Sequence, residues 1–400
     1  MRIMFVTSAG WPEGGVETGL QEIKKLLVEE GHEVMLVASD RRWSPDHFSD
    51  RTFRQPTTGG WRRLIQHAWN HSAFTTVRAS VREFAPDVVS FHVLGEPTAA
   101  ALVAARGVPR VVCVHGPEIY VKRLLPWCLP RTDFRGDSYA LSSLSALGWV
   151  HYVYLRAVCK PLLELALRGV SAFVAFSTYT QGVLQEEGRS PVGRVNNGIR
   201  LNGFRPLTPE STTIAYAGRL EKVKGVHYLI RALAHVRRSF PEVHLEIAGT
   251  GSYQEDLVRM VEDLGLGEHV RFLGQLDLDG VADLYARSRV VAMPSVWPET
   301  FGKAGVEALS VGRPVVASGV GGVFDWLEHE VNGLIVEPGD VEDLSEALLR
   351  VLADASLAER LGIAAHRSAQ RFSIDEEARG LVGVFADVVR PPAPHAARHD

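Results

Sequence analysis

Short apolar runs rich in β-branched residues recur along this chain, separated by stretches of helical periodicity, and the alternation starts afresh after residue 209. In the first half the runs are 3–6, 34–38, 88–91 and 111–114, with helical patterns at 18–30 and 77–84 between them. Strands that read as continuous apolar runs are buried on both faces, so this alternation predicts a parallel sheet covered by helices on either side. Residues 196–209, NNGIRLNGFRPLTP, read as a linker from their Gly, Asn and Pro content. Beyond it the runs 213–216, 244–248, 270–273, 290–293 and 314–317 repeat the pattern. The expected class is α/β, with two Rossmann-like doubly wound parallel-sheet domains in tandem. With 400 residues, 46% of them hydrophobic, the chain can bury two separate cores.

In such sheets ligands bind at the carboxyl ends of the strands, so the loops that follow strands are where chemistry is sought. The most informative is 293–322, MPSVWPETFGKAGVEALSVGRPVVASGVGG. Glu299 sits in a Pro-flanked loop, and Glu307 lies eight residues later in a short helix expected to open at 300–303. There the free backbone N–H groups and the positive dipole end suit a phosphate, and Gly302 lets a ligand approach the main chain. Eight residues of helix span roughly 12 Å, too far for the acids to share a proton. The spacing suits the two ends of an elongated, hydroxylated ligand with a phosphate between them, the outline of a nucleotide-sugar. An amphipathic helix with two solvated glutamates is the competing reading. Ala308, Leu309 and Val311 are expected to face the core, with Gly312 as C-cap.

Other strand-end loops add polar groups. Gly14 and Gly15 follow the first run in SAGWPEGGVETGL and precede a helix, which fits close approach of a phosphate or sugar as well as a plain turn. His115 and Gly116 follow VVCV and set an imidazole at the mouth of the first domain, unless that histidine is structural. Arg219 follows TIAY within GRL, and Lys224 comes shortly after; two cations on one loop can neutralise a diphosphate without metal. Solvated surface charges are the alternative. The loop 248–254, AGTGSYQ, imitates the start of a dinucleotide fingerprint but has Gln254 where the third glycine belongs, which argues against a hydride-transfer cofactor. Asp277 and Asp279 in QLDLDG could be a metal-binding pair, but without a histidine or phosphate loop nearby they fit a solvated turn better.

Forty-three Lys and Arg against 47 Asp and Glu leave a net charge of -4, which gives no general attraction to nucleic acid. Cys113, Cys128 and Cys159 are odd in number and lack metal-ligand spacing, so a reducing, cytoplasmic setting fits best. The chain starts directly in an expected strand at 2–7, with no apolar leader ahead of it. The most apolar window, 138–155, is interrupted by serines, a glycine and a histidine, and fails as a membrane span.

Taken together, GGVE at 14–17, HG at 115–116, NGIRLNGFRP at 197–206, GRLEKVKG at 218–225, FLG at 272–274 and ETFGKAGVE at 299–307 resemble glycosyltransferase family 4, the retaining, metal-independent enzymes of the GT-B fold. The likeness covers the second half well and the first half loosely. It implies a cleft between an acceptor-binding domain, 1–205, and a nucleotide-sugar donor-binding domain, 206–375. A C-terminal helix, 376–390, would cross back to the first domain, with 391–400 a disordered tail. In the positions that match, Glu307 would accept the ribose hydroxyls. Glu299, Thr300 and the backbone of Phe301, Gly302 and Lys303 would hold the transferred sugar. Arg219 and Lys224 would bind the diphosphate, Gly274 would lie against the base, Gly15 would approach the diphosphate or acceptor, and His115 would contact the sugar. No metal and no cofactor are expected. The donor would be a uridine diphosphate sugar, or a guanosine diphosphate mannose as second choice; the acceptor would be a glycan, glycolipid or small molecule.

Residues 116–170 depart from the simplest family pattern. They carry Tyr120, Trp127, Tyr139, Trp149, Tyr152 and Tyr154 with Lys122, Arg123, Arg131 and Arg135. One reading puts 120–160 against the inner face of a membrane as a peripheral contact, and the other packs helices into the domain core. A nucleotide-sugar isomerase of the same fold, a phosphorylase and a non-catalytic nucleotide-sugar sensor are the other function classes, and oligomeric state is left open.

Overall fold

The computed structural model describes residues 1–11, 15–40, 47–55, 68–95, 97–116, 146–208 and 210–390. Among them, seven strands form a first parallel sheet: β1 (Arg2–Ala9), β2 (Glu33–Ser39), β3 (Arg51–Phe53), β4 (Val88–Phe91), β5 (Arg110–Val114), β6 (Ala172–Ala175) and β7 (Val192–Arg194), in the spatial order β3-β2-β1-β4-β5-β6-β7. Six form a second: β8 (Thr213–Ala217), β9 (His244–Ala248), β10 (Val270–Gly274), β11 (Val290–Met293), β12 (Val315–Ser318) and β13 (Gly333–Val336), ordered β10-β9-β8-β11-β12-β13. The fold is therefore the expected pair of parallel-sheet α/β domains.

Both faces of each sheet are dry, and the side-chain period of two deals residues alternately to the two sides. On β1, Met4 and Val6 join the cluster of Phe91, Val112 and Val114, whereas Ile3 and Phe5 join that of Leu20, Ile23 and Val111. On β11, Val290 and Ala292 face one side, Val291 and Met293 the other. This two-sided burial is why the strands read as apolar runs rather than as alternating ones.

Strand order reverses beside β1 in the first sheet and beside β8 in the second. Those are the switch points at which adjacent loops diverge and leave a crevice. The loops after β1 and β5 meet those after β8 and β11 around one recess.

The crossing between the sheets runs from 195 to 212 and is pinned to the second domain. Ile199 is buried there among Phe301, Leu309 and Phe372 and pairs with the chain at Ser373. The buried Arg313 guanidinium donates to the carbonyls of Arg205 at 2.7 Å and Pro206 at 3.1 Å. Ser373 caps the last helix, Ile374–Val389, accepting from Glu376 N. That helix returns to the first domain, where Ala378, Leu381 and Phe385 pack with Phe5, Leu20 and Leu27.

Residues 117–145 lie outside the described residues, and with them Tyr120, Lys122, Arg123, Trp127, Cys128, Arg131, Arg135 and Tyr139; so do Gly14 and the tail 391–400. The remainder of the departing segment forms the helix Ala146–Tyr154, a π turn Leu155–Cys159 and the helix Lys160–Leu167. Ala166 and Leu167 enter the core, while Trp149, Val150 and Val153 are exposed. Among the described residues no helix is long and apolar enough to cross a membrane.

Candidate active site

Glu299 sits in the loop between β11 and the helix Lys303–Ser310 and is only 9% exposed. Its Oε1 accepts from Lys224 Nζ at 2.7 Å and from Ser295 Oγ at 2.7 Å, while its backbone carbonyl accepts from Gly322 N at 2.7 Å. Lys224 closes the single 3₁₀ turn Lys222–Lys224 that follows β8. Burial pushes the Glu299 carboxyl up, but Lys224, Ser295 and Arg219 overcome that and hold it below the usual carboxylate range. A deeply placed, ionised carboxylate is thus tied down through one oxygen.

The same loop builds an anion-ready helix start. Gly302 has φ +92°, where a side chain is strained, and a Cβ there would stand 3.0 Å from Met293 Cε. It offers no side chain to cap the helix Lys303–Ser310, so the first backbone N–H groups face the cleft without a side-chain acceptor at that cap. Phe301 is held beneath by Trp326, whose Nε1 donates to the Phe301 carbonyl at 2.6 Å, and by Phe372 at 5.4 Å.

Arg219 is set by the packing of two neighbouring loops. Tyr216 Oη donates to the Arg219 carbonyl at 3.1 Å, and Leu220 N donates to the Thr250 carbonyl at 2.9 Å. A Cβ on Gly251 would overlap the Leu220 backbone. The glycines of 248–254 therefore let one loop lie on another.

The first domain closes the other side. Thr300 Oγ1 donates to the His115 carbonyl at 3.0 Å, and Lys303 Nζ donates to the Gly15 carbonyl at 3.2 Å. Lys303 also lies 3.9 Å from Glu377 on the last helix, whose Oε2 accepts from Gly198 N at 2.6 Å. His115 is stacked on Phe176, with ring centres 4.4 Å apart.

Two adjoining recesses result. The first, roughly 890 Å³ and open to solvent, is lined by Gly15, His115, Arg219, Lys224, Glu299 and the stretch Thr300, Phe301, Gly302, Lys303. The second is a shallower recess, also open to solvent, lined by Glu307, Tyr285, Asn202 and Leu278, and it shares Gly15 and Lys303 with the first. The two glutamates thus serve neighbouring compartments. Burial raises the Glu307 carboxyl, with Lys303 acting against it. Gly274 lies apart: it ends β10, accepts from Gly249 N at 2.7 Å and lines neither recess. Asp277 caps the helix Leu278–Arg287 through Gly280 N at 2.8 Å, and Asp279 stands 3.6 Å from Arg200. Among the described residues no group of three or more His, Cys, Asp or Glu is placed to hold a metal.

Sequence reasoning missed Ser295, His92 and Glu377. Ser295 could have been found, because it lies in the same loop four residues before Glu299. Glu377 reads as an ordinary first-turn acid, and only the fold shows it 2% exposed beneath Lys303.

Two family models match, "Glycosyltransferase Family 4" over residues 13–202 and "Glycosyl transferases group 1" over 204–368. An uncharacterized glycosyltransferase of Methanocaldococcus jannaschii is 36% identical over 173 residues, 43% of this chain and 44% of that protein. A D-inositol 3-phosphate glycosyltransferase of Streptomyces bingchenggensis is 30% identical over 220 residues, 50% of this chain and 48% of that protein. The chain spans about half the length of the curated relatives it matches. Among solved structures, a sucrose-phosphate synthase of Thermosynechococcus elongatus superposes with a TM-score of 0.75 at 18% identity, covering 97% of this chain and 99% of that one. HepE of Anabaena, in complex with UDP and glucose, gives 0.72 at 22% identity over 96% and 99%. These likenesses identify the GT-B arrangement of the two sheets.

Proposed function

The chain belongs to glycosyltransferase family 4, and from that premise we propose that it moves a hexosyl unit from a nucleoside diphosphate sugar to an acceptor hydroxyl, with retention and without metal. The observation that carries the reading is the buried carboxylate of Glu299, tied through Oε1 to Lys224 and Ser295 at the mouth of an uncapped helix. In this reading the diphosphate lies against that helix start and the side chains of Arg219 and Lys224. The second carboxylate oxygen of Glu299 accepts from the sugar hydroxyls, and Glu307 accepts from the ribose in the adjoining recess.

Breaking the anomeric bond leaves negative charge on the diphosphate and positive charge on the sugar ring. Fixed cations at the first and an ionised carboxylate near the second lower the barrier because they are oriented before the reaction starts. Retaining glycosidases use two carboxyls about 5 Å apart, whereas Glu299 and Glu307 line separate recesses. A front-face path, in which the leaving phosphate helps take the acceptor proton, suits these groups better than a covalent one. Uridine diphosphate sugars are the first donors to try, since HepE was solved with UDP-glucose, and guanosine diphosphate mannose is the second. Inositol phosphates head the small-molecule acceptors, after the relatives named for them.

The test is mass spectrometry and NMR of reactions that pair each donor with an acceptor panel, the first reading the added mass and the second the sugar stereochemistry. A product heavier than its acceptor by one sugar, with the anomeric configuration of the donor, supports the proposal. An altered nucleotide-sugar formed without acceptor would make the protein an isomerase instead.

A further inference from the structure

Beneath His115 runs a chain of polar groups that the proposed reaction does not use. His115 Nε2 lies 3.0 Å from His92 Nδ1. His92 Nε2 lies 3.1 Å from Ser90 Oγ, which is 3.4 Å from Cys113 Sγ. Ser90, His92 and Cys113 are buried. The rings are fixed in plane, His115 by Phe176 and His92 by the edge-on Phe5 at 5.1 Å and 88°. At the far end, His115 Nδ1 is buried and has no hydrogen-bond partner among the described residues.

We propose that Ser90 and His92 are positioning residues that fix which nitrogen of His115 carries its proton, so that His115 offers an Nδ1–H donor to an oxygen of the bound sugar; the ligand in this statement rests on the donor-site reading above. A neutral imidazole has one donor and one acceptor nitrogen, so each link decides the next. Thiol sulfur is a weak acceptor, and the Ser90 hydroxyl therefore donates to His92 Nε2 rather than to Cys113. His92 then carries its proton on Nδ1 and donates to His115 Nε2, which leaves the His115 proton on Nδ1. A buried N–H without an acceptor is unfavourable in the ligand-free state, and a sugar oxygen placed there would satisfy it. Burial lowers both imidazoles, His92 to about 3, with Lys303 adding to the effect on each. The relay thus stays neutral beside a sugar ring that gains positive charge.

The direct test labels the histidines of the full chain with ¹⁵N and reads their tautomers without any ligand. The expected result is a protonated Nδ1 and bare Nε2 on His115, turning to a tautomer mixture in Ser90→Ala. A wild-type His115 protonated on Nε2, or one unmoved by Ser90→Ala, would overturn the proposal. In turnover, Ser90→Ala and His92→Phe are expected to lower kcat/KM for the donor roughly 3–10-fold, as the loss of one neutral hydrogen bond does. His92→Asn, whose amide N–H stands where Nδ1–H did, should recover much of the loss. An Asn variant no better than Phe would count against positioning. The expected tautomers in a protein that transfers sugar from no donor would refute only the donor-site reading.

Discussion

Replacing Lys224 by Met tests whether Glu299 is a buried, ionised carboxylate. At 2.7 Å the pair attract by about 6 kcal/mol at an effective dielectric of ~20, and desolvation offsets much of that. Removing one partner of a buried pair costs roughly 3–5 kcal/mol, because the other charge is stranded. Glu299 keeps Ser295 and can escape by taking a proton, which sets a ceiling. From an ordinary carboxyl value of 4.5, protonation costs about 4 kcal/mol at pH 7.5 and under about 1 kcal/mol at pH 5. The wild-type carboxyl is depressed, so its contribution holds above 4.5 and is lost only as pH falls through the lower folded value. The variant should therefore lose about 3 kcal/mol at pH 7.5, or roughly 6–12 °C in Tm for a domain of this size. Most of that deficit should vanish at pH 5. Adding Glu299→Gln to Lys224→Met should restore the Tm at pH 7.5 while activity stays lost. Thermal denaturation at the two pH values reads all of this. A Lys224→Met protein as stable as wild type at pH 7.5, or equally deficient at pH 5, would refute the buried-charge reasoning.

Further outcomes are expected. Arg219→Ala should lower kcat/KM about 100-fold with Tm nearly unchanged, since it removes charge from the leaving diphosphate and little packing; activity near wild type would remove Arg219 from the site. Burial raises Glu307, so its contribution is full below 4.5 and is lost as pH rises through the folded value. Glu307→Gln should accordingly raise the ligand-free Tm at pH 8 but not at pH 4, and weaken donor binding about 10–100-fold, as loss of a charged hydrogen bond does; calorimetry at both pH values checks this. Chelator should leave transfer intact, and full dependence on added manganese would bring Asp277 and Asp279 back into consideration.

Much of the fold was legible because two-sided burial writes strands as apolar runs. Each of the nine runs read from the sequence overlaps a strand of the structure. Four strands escaped: β3 and β7 have three residues each, one opening on Arg51 and the other with Gly193 at its centre, and β13, GLIV, is apolar but only four residues long and opens on a glycine. β6 is AFVA, half of it alanine. The site was legible where chemistry and spacing coincide, as in Glu299, Gly302 and Glu307 on one stretch. Tertiary contacts were not. Nothing in the sequence announces that Lys224 reaches Glu299 across 75 positions, or that Lys303 touches Gly15 in the other domain. His92 shows why: a lone histidine after a strand has no pattern until β5 sets His115 beside it.

The proposed function requires first that a nucleoside diphosphate sugar bind in the cleft between the sheets without metal. The most direct test is a thermal-shift panel of uridine, guanosine, adenosine and thymidine diphosphates and their sugars, with chelator throughout, on wild type and Glu299→Ala. A ligand that binds only the native state raises Tm, by about 2.7 kcal/mol of added stability at 100 times its Kd. A selective rise is expected with one nucleotide and its sugar, larger for the sugar in wild type and no larger than for the bare diphosphate in Glu299→Ala. No shift with any member of the panel would contradict it.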